Sequence, residues 1–139
     1  MTRRSLSVRT WLRLVRVAQK MGRAAEGPLT DLDLTAGQFA VLAAAGAAEG
    51  ALQDDLADRL ATTKGNVSQL LSKLEAKGYV RRVPDGRTKA VHLTPDGRAL
   101  LEREMPAHDA FIEERLSALS AADLDHLHDL LARLDRSLG

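Results

Sequence analysis

Residues 62–93 read TTKGNVSQLLSKLEAKGYVRRVPDGRTKAVHL, and this stretch decides the fold. In its first half the apolar residues recur at i, i+3, i+4 and i+7, which is the spacing of a helix with one buried face. These residues are Val67, Leu70, Leu71 and Leu74. Lys77 and Gly78 end the helix, because glycine readily adopts the left-handed conformation that closes many helices.

A β-hairpin is predicted directly after this helix. Residues 79–83 and 89–93 are strand-like, and the Pro-Asp-Gly-Arg run at residues 84–87 between them is a turn signal. The stretch therefore predicts one helix followed by a small two-stranded wing.

The side of the predicted helix opposite the apolar stripe is polar but carries almost no charge. It presents Thr62, Gly65, Gln69, Ser72 and Ala76, with Asn66, Ser68 and Lys73 on its flanks. A face that only meets water usually mixes glutamate with lysine, and this one does not. Asn and Gln pair bidentately with adenine, whereas Ser and Thr reach bases or phosphates. The pattern favours a helix that reads DNA.

Charge is unevenly distributed along the chain, although the net value is only +1. Residues 62–98 carry eight basic and three acidic side chains, a net +5, whereas residues 99–139 carry four basic and nine acidic ones, a net −5. The positive segment coincides with the polar helix and the hairpin, which is the electrostatic signature of a phosphate-binding surface. A basic hairpin that faces solvent without a partner is the alternative.

The predicted DNA contacts are of two kinds. Basic residues of the helix and hairpin would contact phosphates, which sets affinity and salt dependence but not sequence preference; they are Lys64, Lys73, Arg81 and Lys89. Asn66 and Gln69 would read bases, at roughly 1–3 kcal/mol each if bidentate, and exposed polar residues without that role are the alternative. The full candidate set is Thr63, Lys64, Asn66, Ser68, Gln69, Lys73, Arg81, Asp85, Arg87 and Lys89.

Length and composition limit the class of protein. A chain of 139 residues is the length of one domain, and 45% hydrophobic residues is ordinary for a folded protein. The core must be built mainly from Leu, Val and Ala, because the chain has only four aromatic residues. Absence of cysteine excludes disulfides and thiolate metal sites. No apolar run is long enough for a membrane span or a signal peptide, so a soluble cytoplasmic protein is expected.

The segments before residue 62 complete a helix-turn-helix. Residues 6–24 form the first predicted helix, and residues 26–30 break it. Thr35 and Gln38 have capping-box spacing, so a second helix follows Thr35. Residues 53–61 form a short helix with acids in its first turn. A brief turn joins it to the polar helix, which is the helix-turn-helix arrangement.

Two further helices are predicted after the hairpin. Thr94 and Pro95 begin the first, as N-cap and first helical residue, and Pro106 is expected to bend it. Ser120 begins the last helix, whose leucines form a short a/d seam: Leu124, Leu127, Leu131, Leu134 and Leu138. Such a seam packs within a chain or across a dimer, and a homodimer is favoured because one DNA-reading lobe covers few base pairs.

The expected fold is mainly α-helical, with a small β-hairpin wing. One winged helix-turn-helix domain would span residues 1–139, with a DNA-binding lobe at about 35–98. The N- and C-terminal helices, at about 5–25 and 99–138, would form the dimerisation region.

Six short motifs occur in order along the chain. They are Leu34-Thr35-x-x-Gln38-x-x-x-Leu42, Leu56-Ala57, Asn66-Val67-Ser68, Leu74-Glu75-x-x-Gly78-Tyr79-Val80-x-Arg82, Asp85-x-Arg87 and Leu93-Thr94-x-x-Gly97. This ordered set resembles the MarR family of bacterial transcriptional regulators over residues 30–100, and the length and helix order resemble it over nearly the whole chain. The sequence departs from the family at Pro84 and at Gly86, where a second basic residue is frequent.

The resemblance implies a winged helix-turn-helix homodimer in which the first and last helices interlock. It also implies binding to a palindromic operator, usually as a repressor released by a small, often aromatic or anionic, ligand. Carried onto this sequence, the helix at 63–77 enters the major groove and Arg87 inserts into the minor groove. Asp85 then holds the wing in shape. A plain turn-forming role for Asp85 and a solvent-exposed Arg87 are the alternatives.

The remaining chemistry-bearing residues give weaker patterns. His126 and His128 point in different directions on a helix, and no nucleophile-plus-base spacing or glycine-rich phosphate loop occurs. No metal, cofactor or catalytic activity is therefore predicted. Candidates for an effector cavity between the terminal helices and the DNA-binding lobe, with plain core packing as the alternative, are Trp11, Met105, His108 and Phe111. The alternative function is a winged-helix module that docks another protein without specific DNA binding.

Overall fold

The computed structural model describes residues 3–139 and confirms the predicted mainly helical class with one hairpin. The elements are α1 (Leu6–Thr30), α2 (Ala36–Ala47), α3 (Gln53–Arg59), α4 (Lys64–Ala76), β1 (Val80–Asp85), β2 (Thr88–Leu93), α5 (Pro95–Leu116) and α6 (Ala121–Leu138). They are distributed over two compact units, Met1–Met105 and Pro106–Gly139.

The core of the first unit lies where α2, α3 and α4 pack together. Its largest fully buried side chains include Phe39, Leu42, Leu56, Leu71 and Leu74. The apolar stripe predicted for α4 is confirmed, because three of its members are buried and the fourth, Leu70, is half-buried. Each fully buried Leu or Phe contributes about 2 kcal/mol relative to an exposed one, so this packing fixes α4 with its polar side outward.

The predicted capping box starts α2. The Gln38 N–H donates to Thr35 Oγ1 at 3.1 Å, and the Thr35 N–H donates to Gln38 Oε1 at 3.2 Å. Gln38 is buried although it is polar, because its amide oxygen accepts both the Thr35 N–H and a hydrogen bond from Lys77 Nζ.

The predicted break at residues 26–30 was wrong, because α1 continues through Pro28 to Thr30. Pro28 lies in the last turn, where its missing N–H removes one helical hydrogen bond without interrupting a long run. Leu29 is buried in the core and anchors that turn. Its carbonyl accepts the N–H groups of Leu32 and Leu34 at 3.0 and 3.2 Å, so the chain reverses after the helix.

The hairpin is closed by a tighter turn than predicted. β1 and β2 pair antiparallel from Val80↔Leu93 to Asp85↔Thr88, which leaves Gly86 and Arg87 as the two-residue loop. The expected turn at 84–87 was therefore wrong in its first half. Pro84 is accommodated because it stands one pair away from the hydrogen-bonded closing pair, where a strand N–H points outward. Gly86 has φ +63°, which a loop of this length requires.

A short backbone link attaches the hairpin to the helices. The Gly50 N–H donates to the Val91 carbonyl at 3.0 Å, and the Val91 N–H donates to the Ala51 carbonyl at 2.9 Å. Leu52 and Ala90 form an isolated antiparallel bridge. The segment before α3 thus acts as a third strand beside β2, a feature that the sequence pattern did not predict.

The start of α5 confirms Thr94 as N-cap. Its Oγ1 accepts the Gly97 N–H at 3.1 Å, and its own N–H donates to the Tyr79 carbonyl at 3.0 Å. A Cβ on Gly97 would lie 2.0 Å from the Tyr79 carbonyl oxygen. Only glycine therefore permits α5 to approach the start of the hairpin this closely.

The second unit consists of the end of α5 and the whole of α6. The Asp123 N–H donates to Ser120 Oγ at 3.1 Å, so Ser120 is the predicted N-cap of α6. No residue of α6 is buried, and its leucines are 36–78% exposed. In the part of the chain that the structure describes, no helix is long and apolar enough to cross a membrane.

Candidate nucleic-acid interface

The polar face of α4 begins at its N-cap. Thr63 Oγ1 accepts the Asn66 N–H at 3.0 Å, which fixes the first turn and leaves the hydroxyl hydrogen of Thr63 available. Because Val67, Leu71 and Leu74 are buried, the opposite side of the helix is presented to solvent. This is the geometry that the DNA-reading prediction requires.

The two candidate base readers differ in what holds them. Gln69 is exposed, and its amide makes no hydrogen bond to another described residue. Asn66 is also exposed, but its Nδ2 donates to Thr62 Oγ1 at 3.0 Å. The bond from Nδ2 orients the Asn66 amide, whereas Gln69 is free to adapt to a base edge.

The two serines of α4 differ in what surrounds them. Ser68 is half-buried, at the margin of the open face. Ser72 donates to the Ser68 carbonyl at 3.0 Å and accepts a bond from Arg82 at 2.9 Å. Ser72 is therefore already engaged in holding the hairpin.

Several of the eight basic residues in 62–98 already form hydrogen bonds or ion pairs within the protein. The Lys77 Nζ donates to the Asp33 carbonyl and to Gln38 Oε1, and Arg98 pairs with Glu49 at 2.9 Å. Arg82 is bound by Glu75, and its side chain is 10% exposed. The sequence pattern alone did not separate these internal cations from those that face solvent.

The predicted phosphate contacts stay exposed. Lys64 is 70% exposed and pairs with Asp54 at 3.3 Å, which a phosphate would have to displace. Lys73, Arg81 and Lys89 are exposed and have no ion pair within 4.0 Å among residues 3–139. These three and Arg87 are the basic residues of 62–98 that are exposed and form no ion pair within the described chain.

The strand alternation divides the basic residues of the hairpin between its two faces. Pairing of Arg82 with Val91 and of Pro84 with Lys89 puts Lys89 on the same face as Arg82, which contacts α4. Arg81 pairs with His92 on the other face. The structure therefore brings Lys89 to the α4 side of the hairpin but not Arg81.

Arg87 is at the hairpin tip, as predicted, and is exposed to solvent on its loop. Asp85 is exposed at the end of β1 and pairs with Thr88. No ion pair joins Asp85 to Arg87 in the described part of the chain. Asp85 is thus the last residue of β1, and its role in holding the wing stays a prediction.

The Glu75 carboxylate lies where α4 meets the hairpin, against Arg82. The Arg82 guanidinium, which hydrogen-bonds this carboxylate, holds the pKa of Glu75 below its ordinary value. Glu75 therefore stays ionised at neutral pH and neutralises Arg82, so that pair adds no net charge to the surface.

The four candidate effector residues are divided between the two units. In the first, Trp11 is 61% exposed and Met105 packs against the core. In the second, His108 and Phe111 are half-buried, and the Arg115 guanidinium lies 4.5 Å from the Phe111 ring centroid. None of the four lines the open groove of about 540 Å³ bounded by Gln19, Gly22, Arg23, Glu26 and Ala36. Their effector role remains a prediction.

Comparison with known proteins gives one consistent result. Residues 32–89 match the model of the MarR family. An uncharacterised HTH-type transcriptional regulator of Bacillus cereus is 38% identical over 101 residues, which are 73% of this chain and 69% of that protein.

Two solved structures that contain DNA are similar to the chain. The MepR–DNA complex of S. aureus has a TM-score of 0.82 and 29% identity, covering 93% of this chain and 98% of MepR. An E. coli MarR variant complexed with operator DNA has a TM-score of 0.80 and 29% identity, covering 94% of this chain and 99% of that one.

Proposed function

Because the chain belongs to the MarR family of transcriptional regulators, we propose that it is a homodimeric repressor that binds a palindromic DNA operator in the cytoplasm. In this proposal α4 enters the major groove, where Asn66 and Gln69 read base edges. Lys64, Lys73 and Lys89 neutralise phosphates beside it, and Arg81 contacts phosphates from the other face of the hairpin.

One observation carries the DNA-binding proposal. The buried stripe of α4 turns its largely uncharged polar face outward. The accessible cations lie on α4 itself (Lys73), on the α4 side of the hairpin (Lys89) and at the hairpin tip (Arg87). A polar reading surface bordered by cations matches a base edge bordered by phosphates. The similar MepR and MarR structures, which contain DNA, support the same interpretation of this surface.

The wing supplies the second contact of the proposal. Arg87 projects from a two-residue loop at the end of a paired hairpin, so a rigid support presents a single guanidinium. A narrow minor groove attracts such a cation through its enhanced negative potential, and it reads groove shape rather than base identity. Thr63 and Ser68 at the start and margin of α4, and Asp85 beside the tip, complete the proposed interface.

The homodimer is supported by apolar surface that one chain leaves uncovered. Leu6, Trp11 and Leu12 of α1 are 48–69% exposed, and the α6 leucines are exposed along a seam. Residues 3–25 carry seven basic and no acidic side chains, whereas residues 106–139 carry seven acidic and three basic ones. In the proposal the terminal helices, at about 5–25 and 99–138, cover these surfaces with a second copy, and opposite charges face each other.

A small effector that releases the DNA is the last part of the proposal. Trp11, Met105, His108 and Phe111 are the proposed effector-binding residues, since each combines an apolar body with an incompletely buried position. An aromatic or anionic compound would suit the aromatic rings and the histidine.

The proposal is tested with a duplex that the wild-type protein selects from a random-sequence pool. Arg87→Ala and Gln69→Ala should each weaken binding about tenfold in fluorescence anisotropy, because each removes one contact per half-site. Both side chains are exposed, so the melting temperature should change by less than about 2 °C.

Unaltered affinity in both variants would contradict the reading roles of α4 and the wing. Selection of no duplex at low ionic strength would instead favour the protein-interaction module. A scrambled duplex of equal length and composition is the control for binding that depends on charge alone.

A further inference from the structure

Arg82 is a basic residue in the middle of the hairpin, yet its guanidinium is turned inward. The side chain is only 10% exposed. Its Nη2 donates to Ser72 Oγ at 2.9 Å and to Glu75 Oε1 at 3.3 Å, and its Nη1 donates to Gln53 Oε1 at 3.3 Å. One guanidinium therefore ties β1 to both helices of the helix-turn-helix.

Glu75 holds Arg82 at two points. One carboxylate oxygen accepts the guanidinium, and the other accepts the backbone N–H of Arg82 at 3.1 Å. The carboxylate thus fixes the strand itself as well as the side chain. Because Glu75 lies in the last full turn of α4, this contact sets the angle at which β1 leaves the helix.

A direct phosphate contact by Arg82 does not agree with this geometry. Both terminal nitrogens are occupied, and the Nε atom is buried without a hydrogen-bond partner in the described chain. Turning the guanidinium outward would leave Glu75, Ser72 and Gln53 without their shared donor. The rotation would also break the ion pair with Glu75, which opposes it.

Arg82 lies nearer to the helices and Arg87 lies at the hairpin tip, so a change in the hairpin angle at Arg82 would displace Arg87. Gly86 lies four positions after Arg82 along the hairpin, a length of roughly 14 Å at about 3.4 Å per residue. A tilt of about 10° at the base would move the tip by roughly 2.4 Å. That displacement is larger than the distance tolerance of a hydrogen bond.

We propose that Arg82, which is hydrogen-bonded to Glu75 and Ser72, is a positioning residue. It sets the angle between the hairpin and α4 and thereby places Arg87 for its DNA contact. This inference rests on the proposed function, since it concerns how the wing reaches DNA. It assigns Arg82 no contact with DNA.

The test is a double-mutant cycle between the base and the tip of the hairpin. Arg82→Lys keeps the charge but not the multiple contacts, and Glu75→Gln keeps the size but removes a negative charge. If only net charge mattered, Glu75→Gln would strengthen binding to the selected duplex. The positioning role predicts the opposite sign, a loss of about fivefold to tenfold.

The cycle also predicts coupling to Arg87. Arg87→Ala should cost about tenfold in the wild-type background but less than about twofold in the Glu75→Gln or Arg82→Lys background, because the guanidinium is already misplaced there. The charge-matched control is Glu102→Gln, an exposed acid of α5 outside the hairpin network, in which Arg87→Ala should keep its full effect. Equal costs of Arg87→Ala in all backgrounds would overturn the positioning role.

A measurement without DNA separates this inference from the proposed function. The chain contains no cysteine, so spin labels on Ala76→Cys and Asp85→Cys, in protein diluted with unlabelled chain, report the distance between α4 and the end of β1 within one protomer. The distance distribution should broaden in Glu75→Gln and Arg82→Lys, and an unchanged distribution would contradict the inference. A wild-type protein that selects no duplex contradicts the proposed function instead.

Discussion

The cations of the DNA-binding lobe divide into two groups that their residue types do not distinguish. Arg82, Lys77 and Arg98 bind partners within the protein, whereas Lys73 and Arg87 face solvent. The internal partners are 7 to 49 residues away in the chain. The net charge of a segment could therefore be predicted from the sequence. The number of its basic side chains that stay free to contact a ligand could not.

The exposed positions of the proposed base-reading residues could be predicted, because they depend on a local pattern in the sequence. Gln69 and Asn66 lie on the open side of a helix whose buried side is defined by residues three and four positions apart. The bond from Asn66 to Thr62 also lies within one helical turn. Ser72 was assigned to the open face by the same geometry, and only the folded hairpin shows that Arg82 occupies it.

The Glu75–Arg82 pair predicts a pH dependence of stability at this residue scale. Arg82 holds the pKa of Glu75 below its ordinary value, so ionised Glu75 stabilises the fold. The gain is fully present above the unfolded value of about 4.3 and is lost as pH falls through the lower folded value. In urea unfolding, Glu75→Gln should be less stable than wild type at pH 7, and the difference should shrink toward pH 3.

The matched control for this pH dependence is Glu102→Gln. Glu102 is exposed on α5 and has no ion pair in the part of the chain described. At each pH, the urea midpoint of Glu102→Gln should be nearly the same as that of the wild-type protein. A Glu75→Gln difference that stayed constant between pH 7 and pH 3 would show that the carboxylate charge does not stabilise the fold.

At the scale of elements, α4 and the hairpin were predicted because caps and periodicity act over a few residues. The predicted Gly78 terminus, at φ +81°, and the predicted capping box of α2 are both present, and Thr63 caps the start of α4. Pro28 shows the limit of this approach, since burial of Leu29 keeps the last turn of α1 helical. The backbone hydrogen bonds that join residues 50–51 to Val91 connect distant parts of the chain, so no local sequence pattern predicted them.

The exposed cations of α4 and the hairpin predict a salt dependence. Lys64, Lys73, Arg81 and Lys89 would give about eight phosphate contacts in a homodimer, and hence a slope of log affinity against log salt of about −7. Replacing Lys73 by Gln should reduce the magnitude of the slope by about 2, because each dimer loses two contacts. Fluorescence-anisotropy titrations of the selected duplex at salt concentrations from about 50 to 200 mM measure this slope.

The control for the salt slope is Lys77→Gln. Lys77 is bound to Asp33 and Gln38 and is 28% exposed. Its substitution should alter stability more than the slope. A slope near zero for the wild-type protein would exclude phosphate contacts as the source of affinity.

At the scale of the whole molecule, the exposed leucines of α6 predict self-association. Leu127→Glu with Leu131→Glu should convert a dimer into a monomer in light scattering, because charges would replace the apolar seam. The control is Arg133→Glu with Arg136→Glu, on the opposite side of the helix, which changes the charge twice as much. Loss of the dimer in the control but not in the leucine variant would place the interface elsewhere.

The central claim is that two copies present two α4 helices to one duplex, and a hydroxyl-radical footprint on the selected duplex tests it most directly. The account predicts two protected segments on one face of the DNA, centred about one helical turn (roughly 34 Å) or a multiple of it apart. Flanking protection should disappear in Arg87→Ala. A single protected segment, or no protection at low ionic strength, would contradict the account.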